Sequence, residues 1–170
     1  MKWLGMCFIL VGCVGMGVWY SNNYVRKWKN LLELKKSLVM LKGEISYGRT
    51  PLPEAFFRLA DKTKGVISKF YRIMAEGLEE GKGDMEYLWK NYLEKCIPEK
   101  EMRESDRKEL ESLGSTLGYL DTEMQLQTLG LYEKQLEQSI YFYEKERENR
   151  TRLYPILGTI GGILICIILI

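Results

Sequence analysis

Cys13 closes the tetrapeptide Leu10-Val11-Gly12-Cys13, a small residue and a cysteine after a short apolar run, which is the pattern at which a lipoprotein precursor is cut and its thiol acylated. Cleavage there would place the rest of the chain outside the cell. Two features oppose it: only Lys2 precedes the run as a basic residue, and the apolar character continues past Cys13 to Tyr20, where a lipoprotein turns polar. A continuous helix is the better reading, and a lipoprotein-like, externally exposed protein acylated at Cys13 is the alternative. Cys7 and Cys166 lie in apolar runs and Cys96 stands alone before Ile97-Pro98, so the cysteines form neither a disulfide framework nor a metal set. Glu79 with Glu80 could do acid/base work, but no nucleophile accompanies the pair. Gly81-Lys82-Gly83 is too short for a phosphate loop and has no strand before it. The 170 residues include no histidine, which removes the commonest general base and, with it, Ser-His-Asp, Cys-His and zinc-His chemistry. The expectation is a chain that is no enzyme and carries no cofactor or metal. A net charge of +2 is too mild to point to nucleic acid.

The charges are unevenly placed, and the ends explain why. Residues 21–50 hold seven basic side chains against two acidic, whereas residues 76–111 hold seven against twelve. Trp3–Tyr20 and Leu153–Ile170 are uncharged runs of 18 residues each, about 27 Å long as helices and close to the thickness of a bilayer's hydrocarbon core. Trp3, Trp19, Tyr20 and Tyr154 occupy aromatic-belt positions, and Arg26, Lys27 and Lys29 follow the first run as Lys145, Arg147, Arg150 and Arg152 precede the second. The positive-inside bias then puts the middle in the cytoplasm. The expected organisation is a transmembrane helix with a short N-terminus over 1–22, a cytoplasmic helical bundle over 23–152 and a C-terminal transmembrane helix over 153–170. Gly158 and Gly162 make a G-x-x-x-G pair on the second run, with a looser Cys13/Gly17 pair on the first, so the spans can pack on each other or on a neighbouring subunit. Anionic lipid headgroups account sufficiently for the basic cluster from Arg26 to Lys36.

Between the runs the period is helical throughout, and the fold class is all-α, a compact six-helix bundle. Leu31, Leu34, Leu38, Leu41 and Ile45 step by three and four over a first helix from Asn23 to Tyr47. Ala55, Phe56, Leu59 and Ala60 mark a second; Val66, Ile67, Phe70, Ile73, Met74 and Leu78 a third; Met85, Leu88, Trp89 and Leu93 a fourth that stops before Pro98. Asp106 with Glu109 reads as a capping pair for a fifth, with Gly118 as its left-handed stop, and Thr122 with Gln125 caps a long sixth.

Two breaks between these helices match. "YGRTPLPEAF" (Tyr47–Phe56) aligns without gaps on "EGKGDMEYLW" (Glu80–Trp89), placing Gly48 on Gly81, Leu52 on Met85, Ala55 on Leu88 and Phe56 on Trp89. Each break is a glycine that accepts a positive φ, a polar turn, and an apolar plug, Leu52 or Met85, in the seam. Thr50 and Pro51 serve the first as an N-cap and a first-turn proline. Gly114 belongs with the joint residues Gly48, Pro51, Leu52, Gly81, Met85 and Gly118.

"EISYGRTPLPEAFFRLA", "GLEEGKGDMEYLW" and "LESLGSTLGYLDTEMQLQTL", with uncharged runs at both ends, resemble the stage III sporulation protein AB family of endospore-forming bacteria. That family's helical domain is similar to the cytoplasmic domain of the inner-membrane platform proteins (F family) of type II secretion and type IV pilus assembly. The resemblance implies a non-catalytic platform or adaptor in the secretion-like channel complex between mother cell and forespore. It implies residence in the mother-cell membrane surrounding the forespore, with the bundle facing the mother-cell cytoplasm. The implied partners are a secretion-type ATPase and other membrane components of the complex. Platform proteins carry two copies of the helical domain and usually three spans; one copy and two spans here raise the prospect of a homo-oligomer. The acidic stretch from Glu76 through Glu94, Glu99, Glu101, Glu104 and Asp106 could dock a basic ATPase surface, although such a stretch is more often a solvated helix face.

Overall fold

The structure, a computed structural model, describes residues 2–48, 50–118 and 121–169. Among the described residues lie α1 (Lys2–Gly43), α2 (Leu52–Lys62), α3 (Gly65–Glu79), α4 (Met85–Cys96), α5 (Glu104–Leu117) and α6 (Thr122–Leu169), with no strand. A π-helical turn, Glu44–Gly48, follows α1. The chain forms two compact units, one of Lys27–Tyr141 and one that joins the residues up to Arg26 with those from Phe142 onward.

Why these residues become these helices is clearest in the larger unit. Leu31, Leu34, Leu38 and Leu41, spaced to share one face of α1, are all fully buried, while Ile45 at the end of the stripe is half-buried. The core centres on an aromatic cluster: Trp89 meets Phe70 edge-to-face at 4.9 Å and Phe56 at 6.1 Å, and Tyr71 lies 5.6 Å from Phe56. The Trp89 indole donates to the Leu110 carbonyl at 2.8 Å. Each such ring removes about 150–250 Å² from water at about 25 cal/mol per Å², so the cluster outweighs surface ion pairs worth no more than about 1 kcal/mol each.

The α4–α5 contact is closer than ordinary side chains allow. A Cβ at Gly114 would stand 2.0 Å from Trp89 Cδ1, and one at Gly118 would stand 2.9 Å from Met85 Cβ. Met85 and Trp89, four apart on α4, therefore lie antiparallel along two glycines four apart at the end of α5. A third close approach, 2.8 Å from a Cβ at Gly77 to Tyr92 Cε2, brings α3 against α4.

Polar pins tie α1 to the rest of this unit. Ser37 Oγ and the Tyr71 hydroxyl are 3.0 Å apart, both buried, and burial pushes the Tyr71 phenol up to about 12. Asn30 Nδ2 donates to the Glu101 carbonyl at 2.8 Å and to its carboxylate at 3.1 Å. Lys35 and Lys42 pair with Glu137 and Glu133 of α6, each at 2.8 Å.

Several helix ends differ from the sequence expectation, at Thr50 and Asp106 because the side chain found a partner outside the helix it was expected to cap. Pro51 is itself the residue preceding α2 and Pro53 lies in its first turn, while the Thr50 hydroxyl donates to Glu44 Oε2 at 3.0 Å. With one first-turn N–H removed by proline, that terminus has less to cap. Asp106 does not cap α5, which starts at Glu104; it is turned inward, 3% exposed, and accepts from Ser139 Oγ at 2.7 Å. At α6 the cap is Asp121, whose Oδ1 accepts from the Met124 N–H at 2.8 Å, while Gln125 Nε2 donates to the Leu117 carbonyl. Gly118 is not left-handed: φ is −81°, and its lack of a side chain makes room for Met85.

Among the described residues no helix is long and apolar enough to cross a membrane. The side chains at 3, 4, 6–10, 155, 166 and 168–170, which belong to the two uncharged runs, lie outside the described residues, so the two expected spans are not completed by the described ones alone.

Gly114→Ala is expected to cost about 1–3 kcal/mol, as overpacking does in a filled core. Gly43→Ala, with nothing within 4 Å of the added atom, should be neutral or stabilising. Thermal unfolding of the two full-length variants in detergent checks the pair, and equal effects would mean that the Trp89 contact gives way freely.

Candidate functional site

The two joints are built differently although their sequences align. In the second, Gly81 takes a φ of 63°, the Lys82 N–H donates to the Gly77 carbonyl at 3.0 Å and the Gly81 N–H to the Leu78 carbonyl at 3.2 Å. This is a Schellman stop, with glycine at its left-handed position. Asp84 Oδ1 then accepts from the Tyr87 N–H at 2.8 Å, and Met85 opens α4 as a buried plug.

In the first joint the helix ends through the π turn, of which Gly48 is the last residue. Glu44 Oε2 receives both the Thr50 hydroxyl and Arg58 Nη1 at 3.0 Å, holding the turn to α2. Leu52 opens α2 only half-buried, beside a cleft of about 570 Å³ that Ile45, Ser46, Thr122 and Gln125 also line. Tyr47 beside it is 91% exposed. The aligned aromatics Phe56 and Trp89 meet in the core. Met85 with Gly118 and Trp89 with Gly114 are brought together directly.

The carboxylates are redistributed relative to the sequence pattern. Glu79 and Glu80 are exposed, and Glu80 pairs with Lys82. Gly81-Lys82-Gly83 forms the helix stop just described. Among the described residues no three His, Cys, Asp or Glu side chains come together as a metal set. Within the acidic stretch Glu101 and Asp106 are buried, while Glu76, Glu94, Glu99 and Glu104 are exposed.

The sequence pattern marks Asp106 and Glu109 as a cap. In the structure Asp106 instead acts on Glu109 and on Tyr132 of α6. Desolvation and then Asp106 push the Glu109 carboxyl up, and desolvation, Tyr71, Asp106 and Glu109 push the Tyr132 phenol well up.

In the other unit the small residues meet. A Cβ at Gly158 would stand 2.6 Å from the Cys13 carbonyl oxygen and 3.6 Å from Val14 Cα, so the two helices are nearly backbone to backbone there. Gly17 and Gly162 are buried as well, and Tyr20 and Tyr154 lie 6.0 Å apart. Cys13 sits half-buried inside α1 at this seam. The side chains of Cys7 and Cys166 lie outside the described residues.

Comparison with known proteins gives one consistent answer. The family described as Stage III sporulation protein AB matches residues 2–170. Stage III sporulation protein AB of Bacillus subtilis (strain 168) is 26% identical over 169 residues, 99% of this chain and 99% of that protein. A solved structure of Stage III sporulation protein AB (SpoIIIAB) superposes with a TM-score of 0.68 at 25% identity, over 73% of this chain and 98% of its own.

A valine at position 81 would face the left-handed backbone, which costs an L-residue about 1–2 kcal/mol. Gly81→Val should lower the unfolding temperature of the full chain, and Gly48→Val tests whether the first joint carries a similar constraint. Gly158→Leu should destabilise the protein in detergent whereas Gly161→Leu, with open space at its Cβ, should not. Thermal unfolding that does not separate the latter two would mean that the seam is not closed by Gly158.

Proposed function

Because this chain belongs to the stage III sporulation protein AB family, we propose that it is a non-catalytic platform of the channel complex between mother cell and forespore. In this reading it resides in the mother-cell membrane around the forespore, with its helical body in the mother-cell cytoplasm. The body meets a secretion-type ATPase and passes that contact to the membrane components of the complex. The observation that carries the proposal is that α1 and α6 each hold an uncharged run and a buried apolar stripe within one unbroken element. A part that belongs to both a packed core and an apolar run can bias one by what happens at the other.

Membrane insertion has its own support. Met16, Leu157, Ile160 and Leu164 are all more than half exposed, an apolar surface that water-facing helices avoid. With the side chains of the full runs, each helix supplies about 27 Å of uncharged length. A second copy of the chain would supply the second helical domain that platform proteins carry in one polypeptide. The close Cys13–Gly158 seam supports an intact α1 over acylation at Cys13.

Two measurements test the reading in sporulating cells that make the full-length chain. Protease added to intact cells stripped of their wall should leave the body whole, and protease added after permeabilisation should digest it. Digestion in the intact cells would overturn the cytoplasmic placement in favour of the external, acylated protein. Gentle solubilisation and affinity capture should retrieve a secretion-type ATPase; capture of other channel components without it would remove the ATPase from the proposal.

A further inference from the structure

Asp106 and Glu109 stand three residues apart on the α5 face that packs toward α6. Ser139 of α6 occupies one Asp106 oxygen, while Oδ2 is buried with no hydrogen-bond partner among the described residues. Tyr132 of α6 is 4% exposed, and its hydroxyl is buried without a partner among the same residues. Among the described residues no cation pairs with Glu109 there. Lys108 pairs with Glu104 and Lys90 with Glu111, and the Nε of Arg107 is buried without a partner among the same residues.

Glu109 and the buried Tyr132 line one narrow groove of about 200 Å³ between α5 and α6. Leu113 and the 65% exposed Leu131 give it apolar walls, and among the described residues no basic one lines it. An unsatisfied buried polar group costs about 1–3 kcal/mol, and Tyr132, which lines this groove, carries one in its hydroxyl; the Asp106 oxygen lies behind the lining and adds its charge rather than a contact. What would offset the cost is a narrow ligand with donors only, positive charge and an apolar stem. A lysine fits each term: three N–H donors on a compact ammonium, on a four-carbon chain that lies along apolar surface. The planar guanidinium of arginine needs a wider fork, and a hard metal ion needs more carboxylates than the described residues bring together.

We propose that the α5–α6 groove is a socket for a lysine side chain of a partner protein. Its ammonium donates to Glu109 and the Tyr132 hydroxyl with the Asp106 charge behind them, and its methylenes lie on Leu113 and Leu131. The socket takes from the platform reading only that a protein partner exists, and it stands whichever component supplies the lysine.

The free protein should show the cost. Since Glu109 has a raised pKa in the folded chain, its contribution is favourable below its unfolded value and is lost as pH rises through the folded one. Glu109→Gln should therefore leave thermal stability at neutral pH unchanged or higher while weakening the contact. A purely structural Glu109 would do the reverse.

A carbodiimide, which joins a carboxylate directly to a lysine amine, tests the socket on membranes of sporulating cells carrying the full-length chain. Linked peptides sequenced by mass spectrometry should join Glu109 to a lysine of another polypeptide. Thr128→Phe, which fills the groove and keeps every charge, should lower that yield by about tenfold, the factor for one lost hydrogen bond to a charged group. Links from Glu104, exposed on the same helix, should not change. The proposal is overturned if Glu109 joins only lysines of its own chain, if Thr128→Phe leaves the Glu109 link intact, or if Glu109→Gln lowers the unfolding temperature. A link to a channel component other than an ATPase would support the socket and leave the choice of partner to the capture experiment.

Discussion

Trp89 can lie where it does only because residue 114 has no side chain, and most of the larger unit is arranged around that contact. The indole fills the space between α4 and α5, and Phe70 of α3 and Phe56 of α2 close on it in turn. One turn along, Met85 uses Gly118 in the same way. The four middle helices are thus organised by a pair of large side chains against a pair of missing ones. This geometry fixes α4 and α5 in register, because sliding by one residue would drive the indole into Leu113 or Ser115 instead of the gap.

The helical period made the body legible: the first four helices lie where the apolar spacing put them, the fifth and sixth lie near their capping signals, and the leucines of α1 are buried as a stripe. The family was legible too, from the joints and the glycine-containing stretch before α6. Helix ends were less so. Thr50, Asp106 and Thr122 each look like caps locally, but Glu44 takes the first, Ser139 takes the second, and Asp121 does the work one residue before the third. A polar residue near a helix start carries the same local signal whether it serves the helix or a distant partner. Glycine is ambiguous in a parallel way. Gly81 needs its φ and Gly118 needs its emptiness, and nothing in the string separates the two requirements.

The acidic stretch shows what charge counting leaves out. Its net charge suggested one face, yet Glu101 is pinned by Asn30 and Asp106 by Ser139, both buried, while their neighbours look outward. Burial converts like charges into unlike roles. An exposed glutamate is solvated at the surface; a buried carboxylate oxygen with no donor among the described residues is a cost to the fold.

The order of synthesis meets the order of contact in a particular way. The aromatic cluster joins helices that follow one another along the chain, so α2 to α5 have a low contact order and can close soon after they leave the ribosome. The ion pairs of Lys35 with Glu137 and Lys42 with Glu133 join residues about a hundred positions apart and must wait for α6. Until then α1 presents a leucine face that its last partner does not yet cover. Such an intermediate is prone to pair with the wrong helix, including the α1 of a neighbouring chain. Crowded translation is therefore the circumstance that most favours exchange of α6 between copies.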